Sequence, residues 1–287
     1  MEAVGPNAID ALLPLEMAEK AERVGVEKTR YDILSLLALA ILAGAFIAFG
    51  SLFALVTTAG AEDSLPYGLV RLLSGIAFSL GLILVLVGGA ELFTGNNLMV
   101  MACASRRVTA PEVLRAWGIV YVGNFVGSAA IALLVFLVEG YGHGGGAVGA
   151  VALAGAEAKA AYSGFQALIH GILANILVCL ATWLCFSARS TADRILAIVP
   201  PIAAFVAAGF EHSIANMYLF SFALFTKFGA PTDFWAAIGK VPADYPHLTL
   251  LPTVMNLVWV TIGNMIGGVT VGATYWFIYL RKRGADQ

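Results

Sequence analysis

Charge is the first thing this chain lacks: only 12% of its 287 residues are Asp, Glu, Lys or Arg. Soluble domains carry about a quarter, so a water-exposed globule is excluded. The net charge of −2 gives no basic surface for nucleic acid. Cysteine is also scarce. Cys103, Cys179 and Cys185 are an odd number, lie in or beside apolar runs and have no metal-ligand spacing. They read as small buried hydrophobes, neither a disulfide framework nor a metal site. No Gly-x-Ser-x-Gly, His-Glu-x-x-His or phosphate loop is present, so no metal or cofactor is expected and an intramembrane enzyme has little support. The first 30 residues hold Glu16, Lys20, Glu22, Arg23, Glu27 and Lys28, a composition unlike a cleaved signal peptide.

What is abundant is apolar sequence, 60% of the chain. Six stretches, about 33–57, 69–104, 117–138, 165–186, 195–228 and 250–280, are each long enough to span a bilayer, which takes about 20 residues. The fold class is therefore an all-α integral membrane protein with six transmembrane helices. Ahead of them, residues 1–12 read as a loop. Pro14 to about Arg30 reads as a short mixed-charge helix lying on the membrane surface.

The second and fifth stretches exceed a single span, and each carries one polar device. Gly89-Ala-Glu91-Leu-Phe93-Thr94-Gly95-Asn96 is matched by Gly209-Phe-Glu211-His212-Ser213-Ile-Ala-Asn216 at a constant offset of 120. The simplest reading is a helix, an irregular polar break and a further half-helix. Broken helices survive at membrane depth where protein packs them or where they line a cavity. The third span of each half also matches, Gly123-Asn124-x-x-Gly127 against Gly263-Asn264-x-x-Gly267. That pattern is a close-packing face with an asparagine as interhelical glue. Two motifs in the same order make an inverted 3+3 repeat, about 31–140 and 160–281, with a site at the repeat interface near the midplane. The membrane domain is 31–281, residues 1–30 are an N-terminal segment and 282–287 a tail.

Loop charge sets the expected orientation. Grouping the N-terminus, the loops after spans 2 and 4 and the C-terminus puts twelve of the 16 Lys and Arg on one side and four, Arg71, Lys159, Lys227 and Lys240, on the other. By the positive-inside rule both termini are cytoplasmic. The loop 140–146 reads as flexible with a solvated His143, 229–247 as an ordered connection, and Ser190-Thr-Ala-Asp193 as a helix start.

His212 is the leading candidate for chemistry, an imidazole placed in a helix break inside an apolar span. His170, in span 4, lacks that context and reads as structural. Glu91 and Glu211 fall where a broken helix exposes backbone N–H groups that a carboxylate can satisfy. They read as loop anchors, with Asn96 and Asn216 the repeat-matched asparagines of the same two loops. Thr94 is the first repeat's hydroxyl and can face His212. Asn175 is either interhelical glue or pore lining. Phe78, Leu82, Phe93 and Phe205 flank the breaks, where they either constrict a passage or pack a core.

Glu91-Leu-Phe-Thr94, residues 209–217, Gly263-Asn264 and the run from Asn175 to Ala181 resemble the formate/nitrite transporter family. Residues 234–239, His247-Leu248-Thr249 and 274–280 are similar to its formate-conducting members. The resemblance implies an aquaporin-like protomer in a homopentamer of the bacterial inner membrane, with formate or a related small monovalent anion as substrate. It implies His212 and Thr94 as the central pore pair, Lys159 near the outer vestibule, and Phe78, Leu82, Phe93 and Phe205 as constrictions. Nitrite, hydrosulfide or lactate on the same scaffold is the alternative. Gly95-Asn96-Asn97 departs from the small hydroxyl residues expected after Thr94, and His170 is unusual for span 4. An acid-promoted closure by the N-terminal helix, through Glu16, Glu19 and Glu22, and a proton moving with the anion are further expectations.

Overall fold

A computed structural model describes residues 10–61 and 64–282. The expected loop 1–12 and tail 282–287 therefore lie mostly outside the described residues. The described residues form α1 (Pro14–Thr29), α2 (Ile33–Thr58), α3 (Tyr67–Gly88), α4 (Val100–Ala104), α5 (Ala110–Leu137), α6 (Ala147–Ala160), α7 (Gly164–Ser187), α8 (Thr191–Ala207), α9 (Ser213–Gly229), α10 (Thr232–Ile238) and α11 (Leu250–Tyr279). Helix starts follow local chemistry. Asp32 accepts from Leu34 N and Ser35 N at the head of α2. Thr109 with Glu112, Ser163 with Gln166 and Ser190 with Asp193 form reciprocal capping boxes on α5, α7 and α8.

Helices α2, α3, α5, α7 and α11 are each long and apolar enough to cross a membrane. Their outward surface carries Phe53, Leu134, Phe165 and Leu251, all exposed, a facing suited to lipid and unsuited to water. α8, in the fifth expected span, has 17 residues and reaches about 25 Å at 1.5 Å per residue.

Both expected breaks are present, but neither sits midway along a straight span. α3 ends on Gly89 and α8 just before Gly209, in matching left-handed turns with φ of +79° and +77°, where a side chain is strained. After α3 the chain dips inward to Thr94, forms a 3-10 turn over Gly95–Met99 and returns through α4. Glu91 and Ser105 bracket this excursion and stay on one face, Glu91 bonded to Lys28 of α1 and Ser105 to Trp276 near the end of α11. In the second repeat Arg71, near the start of α3, donates to Val206 and Ala207 carbonyls at the end of α8. From there the chain turns in to His212, and α9 leads back out on the face opposite α1. Each device is thus a crossing helix followed by a re-entrant segment, long in the second repeat and short in the first.

The two halves close by the same packing. A Cβ on Gly127 would fall 2.0 Å from Ile41 O, and one on Gly267 2.3 Å from Ile172 O. These contacts hold α5 on α2 and α11 on α7 at backbone distance. Three elements differ from the sequence reading. α1 packs on the protein rather than on lipid, burying Met17, Ala18 and Ala21 against Met101, Trp183 and Leu280. α6, expected as no element, is an apolar helix of 14 residues packed against α9 through Leu153 and Ala156. The loop 140–146 is ordered at its start, with Tyr141 buried edge-on to Phe234. The connection 229–247 is ordered as expected and contains α10.

Candidate functional site

The two re-entrant segments meet tip to tip. Thr94 Oγ1 lies 2.8 Å from His212 Nε2, and both residues are buried. His212 is also the N-cap of α9, its Nδ1 accepting the Ala215 N–H at 3.1 Å. A nitrogen that accepts carries no proton, so the neutral ring holds its proton on Nε2 and donates it to Thr94. The Thr94 hydroxyl proton remains available to a ligand. The meeting point therefore offers one free donor, the Thr94 hydroxyl, a second in Nε2–H once the ring's bond to Thr94 opens, and no fixed charge.

Asparagines clamp both tips by one repeated pattern. Asn124 donates to Ala40 O and Glu91 O and accepts from Phe93 N, at 2.8, 2.9 and 2.9 Å. Asn264 donates to Gly171 O and Glu211 O and accepts from Ser213 N, at 2.7, 3.0 and 2.9 Å. The Gly-Asn motif was legible as glue between helices. Its larger task is to satisfy main-chain groups that a re-entrant segment leaves unpaired at membrane depth.

The glutamates need correcting. Each carboxylate meets side chains rather than the backbone N–H groups expected of a loop anchor. Glu91 accepts from Lys28 Nζ at 2.9 Å and Asn96 Nδ2 at 2.7 Å. Glu211 accepts from Lys159 Nζ and from Asn216 Nδ2, the latter at 2.7 Å. Lys28 and Lys159 thus form equivalent charge-neutral triads, one toward each face. Lys159, expected near the outer vestibule, is ion-paired with Glu211. Lys28 was not singled out in the sequence, because it lies 63 positions from its partner.

Phe78, Leu82, Phe93 and Phe205 are all buried. Phe205 sits edge-on to Phe78 at 5.5 Å between centroids and tilted over His212 at 6.0 Å. Leu82 shares the helix face of Phe78, one turn further along α3, and Phe93 stands edge-on to Trp117 and Tyr121 of α5. Asn175 ties the first tip to its surroundings, donating to Thr94 O, Asn97 Oδ1 and Asn264 O. Cys179 also points its thiol at Thr94 O, at 3.4 Å. Asn97, at the departure noted in the sequence, thus helps fix the loop in which Thr94 sits. Beneath α1 a cavity of about 280 Å³ is lined by Lys20, Lys28, Glu91, Asn96 and Arg194. Burial and the nearby Arg194, Arg189 and Arg23 hold the Lys20 ammonium below its ordinary pKa. Among the described residues no group of three or more His, Cys, Asp or Glu is placed to hold a metal.

The family model described as formate/nitrite transporter matches residues 15–277. The formate channel FocA of Escherichia coli K12 is 44% identical over 278 residues, 96% of this chain and 97% of that one. The formate channel BtFdhC of Bacillus thuringiensis is 34% identical, covering 94% and 96%. A solved structure titled pentameric formate channel with formate bound superposes with a TM-score of 0.82 at 43% identity, over 87% of this chain and 98% of that one. A second, an FNT family ion channel, gives 0.75 at 28% identity, over 91% and 98%.

Proposed function

Because the chain belongs to the formate/nitrite transporter family, we propose that it is a channel for formate and similarly small monovalent anions, built as a homopentamer in the bacterial inner membrane. Each protomer carries its own pore, and the α1 face is cytoplasmic, as the loop charges require. The observation that carries the reading is the 2.8 Å contact of Thr94 with His212, with the Phe205 ring tilted over His212 and Phe78 edge-on to Phe205.

Moving a bare carboxylate into a low-dielectric passage costs on the order of 20 kcal/mol in the Born limit. A carboxylic acid near the Asp reference of about 3.9 is protonated at neutral pH for about 4 kcal/mol. The acid form, or an anion sharing a proton at the constriction, crosses far more cheaply. The Thr94 hydroxyl, and His212 Nε2–H once it turns from Thr94 to the ligand, give such a carboxylate its hydrogen bonds where water is excluded. The ring acts first as a donor, since adding a second proton at Nδ1 requires the Ala215 bond to open. This also counts against an intramembrane enzyme, in which His212 would activate Ser213. That hydroxyl has no partner among the described residues, and the ring's bonds go to Thr94 and Ala215.

Purified protein in proteoliposomes tests the substrate. Formate flux should exceed nitrite, hydrosulfide and lactate flux at equal driving force. Nitrite faster than formate reassigns the substrate, and no flux of any of the four ends the channel reading.

A further inference from the structure

One main-chain bond anchors each re-entrant segment to a neighbouring helix. Glu211 N–H donates to His170 O at 3.3 Å, and Glu91 N–H donates to Leu39 O at 3.2 Å. His170 and Leu39 are therefore counterparts in the two repeats. The bond uses only the backbone, and on the α1 side an apolar side chain meets every demand of the position. The imidazole on the opposite side is not needed for that contact.

Its surroundings point to a ligand-facing group. The ring stacks on Tyr162, 5.0 Å between centroids and 12° from parallel, and meets the Phe210 ring at 6.1 Å. Phe210 stands two residues ahead of His212, on the approach to it. Nδ1 is buried without a partner among the described residues, while the residue as a whole is half-buried. A sealed nitrogen with no acceptor is the poorer site for a proton, so the ring's donor is Nε2–H. The neighbouring cations are already engaged. Lys159 is held by Glu211, and Arg71 by the carbonyls at the end of α8.

We propose that His170 is an entry station for a small carboxylate at the mouth away from α1. Its Nε2–H gives the incoming anion a first hydrogen bond before it reaches Thr94 and His212. Leu39 offers no such donor at the other mouth, so the station acts on entry from one side. The inference rests on the formate reading above.

His170→Phe keeps an aromatic face for Tyr162 and removes the N–H. His170→Gln loses the stack and keeps a donor, and His170→Leu copies Leu39. Initial formate flux is measured in both directions in vesicles of defined sidedness. With Phe or Leu, the half-saturating formate concentration for entry from the His170 side should rise on the order of fivefold, the scale of one lost hydrogen bond. Entry from the α1 side should keep its wild-type half-saturation, and Gln should restore most of the loss. A packing role predicts the reverse, Phe like wild type and Gln impaired. That pattern, or unchanged half-saturation in the Phe variant, overturns the inference while leaving the channel reading intact. If the wild type carries no formate, both fall together.

Discussion

Removing one lysine should distinguish the two triads. At 2.9 Å, the Lys28–Glu91 separation, two unit charges attract by about 6 kcal/mol at an effective dielectric of about 20. Desolvating both ions costs several kcal/mol each, so an intact pair contributes little net stability. Losing one partner is another matter, because it strands a buried charge at a cost of about 3–5 kcal/mol. The Glu211 side chain is 1% exposed, and its triad is walled in by α6 and α11, with Asn256 bonded to both Lys159 O and Asn216. Lys159→Met should therefore lower the thermal midpoint of the purified assembly on the order of 10 °C. Adding Glu211→Gln should recover most of that loss. Lys28→Met should cost less, because α1 can lift away and let water reach Glu91. The assay is thermal unfolding in mild detergent, with hydrogen exchange reporting α1. A Lys159→Met protein as stable as wild type, or a double variant no better than the single, refutes the argument.

Gly267→Ala drives a Cβ to 2.3 Å from Ile172 O, so the yield of folded, assembled protein should collapse; normal assembly would show that α7 and α11 separate easily. Asp32→Ala removes the cap of α2, which should be read as a fall in thermal midpoint at neutral pH. Hydrogen bonds from Ser35, then Leu34, hold the Asp32 carboxyl below its ordinary pKa. The cap's contribution is therefore complete above the usual carboxylate value and is lost as pH falls through the lower folded one. The Asp32→Ala difference should accordingly stay constant from pH 8 to about pH 5; a difference that shrinks near pH 6 contradicts this.

The sequence was most informative where a motif occurred twice. The 120-residue offset located both polar breaks, which contain Thr94 and His212, 2.8 Å apart in the structure. The start of α8 was legible because Ser190 stands three residues ahead of an acid. Long-range pairing was not legible. Nothing local assigns Lys28 to Glu91 or Lys159 to Glu211, and the carboxylates were matched to backbone donors because those are the nearest groups in sequence. α6 was missed because 14 Ala- and Gly-rich residues are too few for a span and too apolar for a loop signal. The re-entrant path was hidden for a related reason. Hydropathy reports that residues are in the membrane and says nothing of a reversal in direction, which here depends on Gly89 and Gly209. His170 looked structural because its partners, Tyr162 and Phe210, are set by folding.

The central claim is that the Thr94–His212 contact gives the passing carboxylate its hydrogen bonds at the narrowest point. His212→Phe keeps bulk and removes the Nε2 donor, so formate flux into proteoliposomes at neutral pH should fall at least tenfold with the pentamer intact by native mass spectrometry. An assembled His212→Phe protein that carries formate at the wild-type rate, with the wild-type pH profile, would contradict the account.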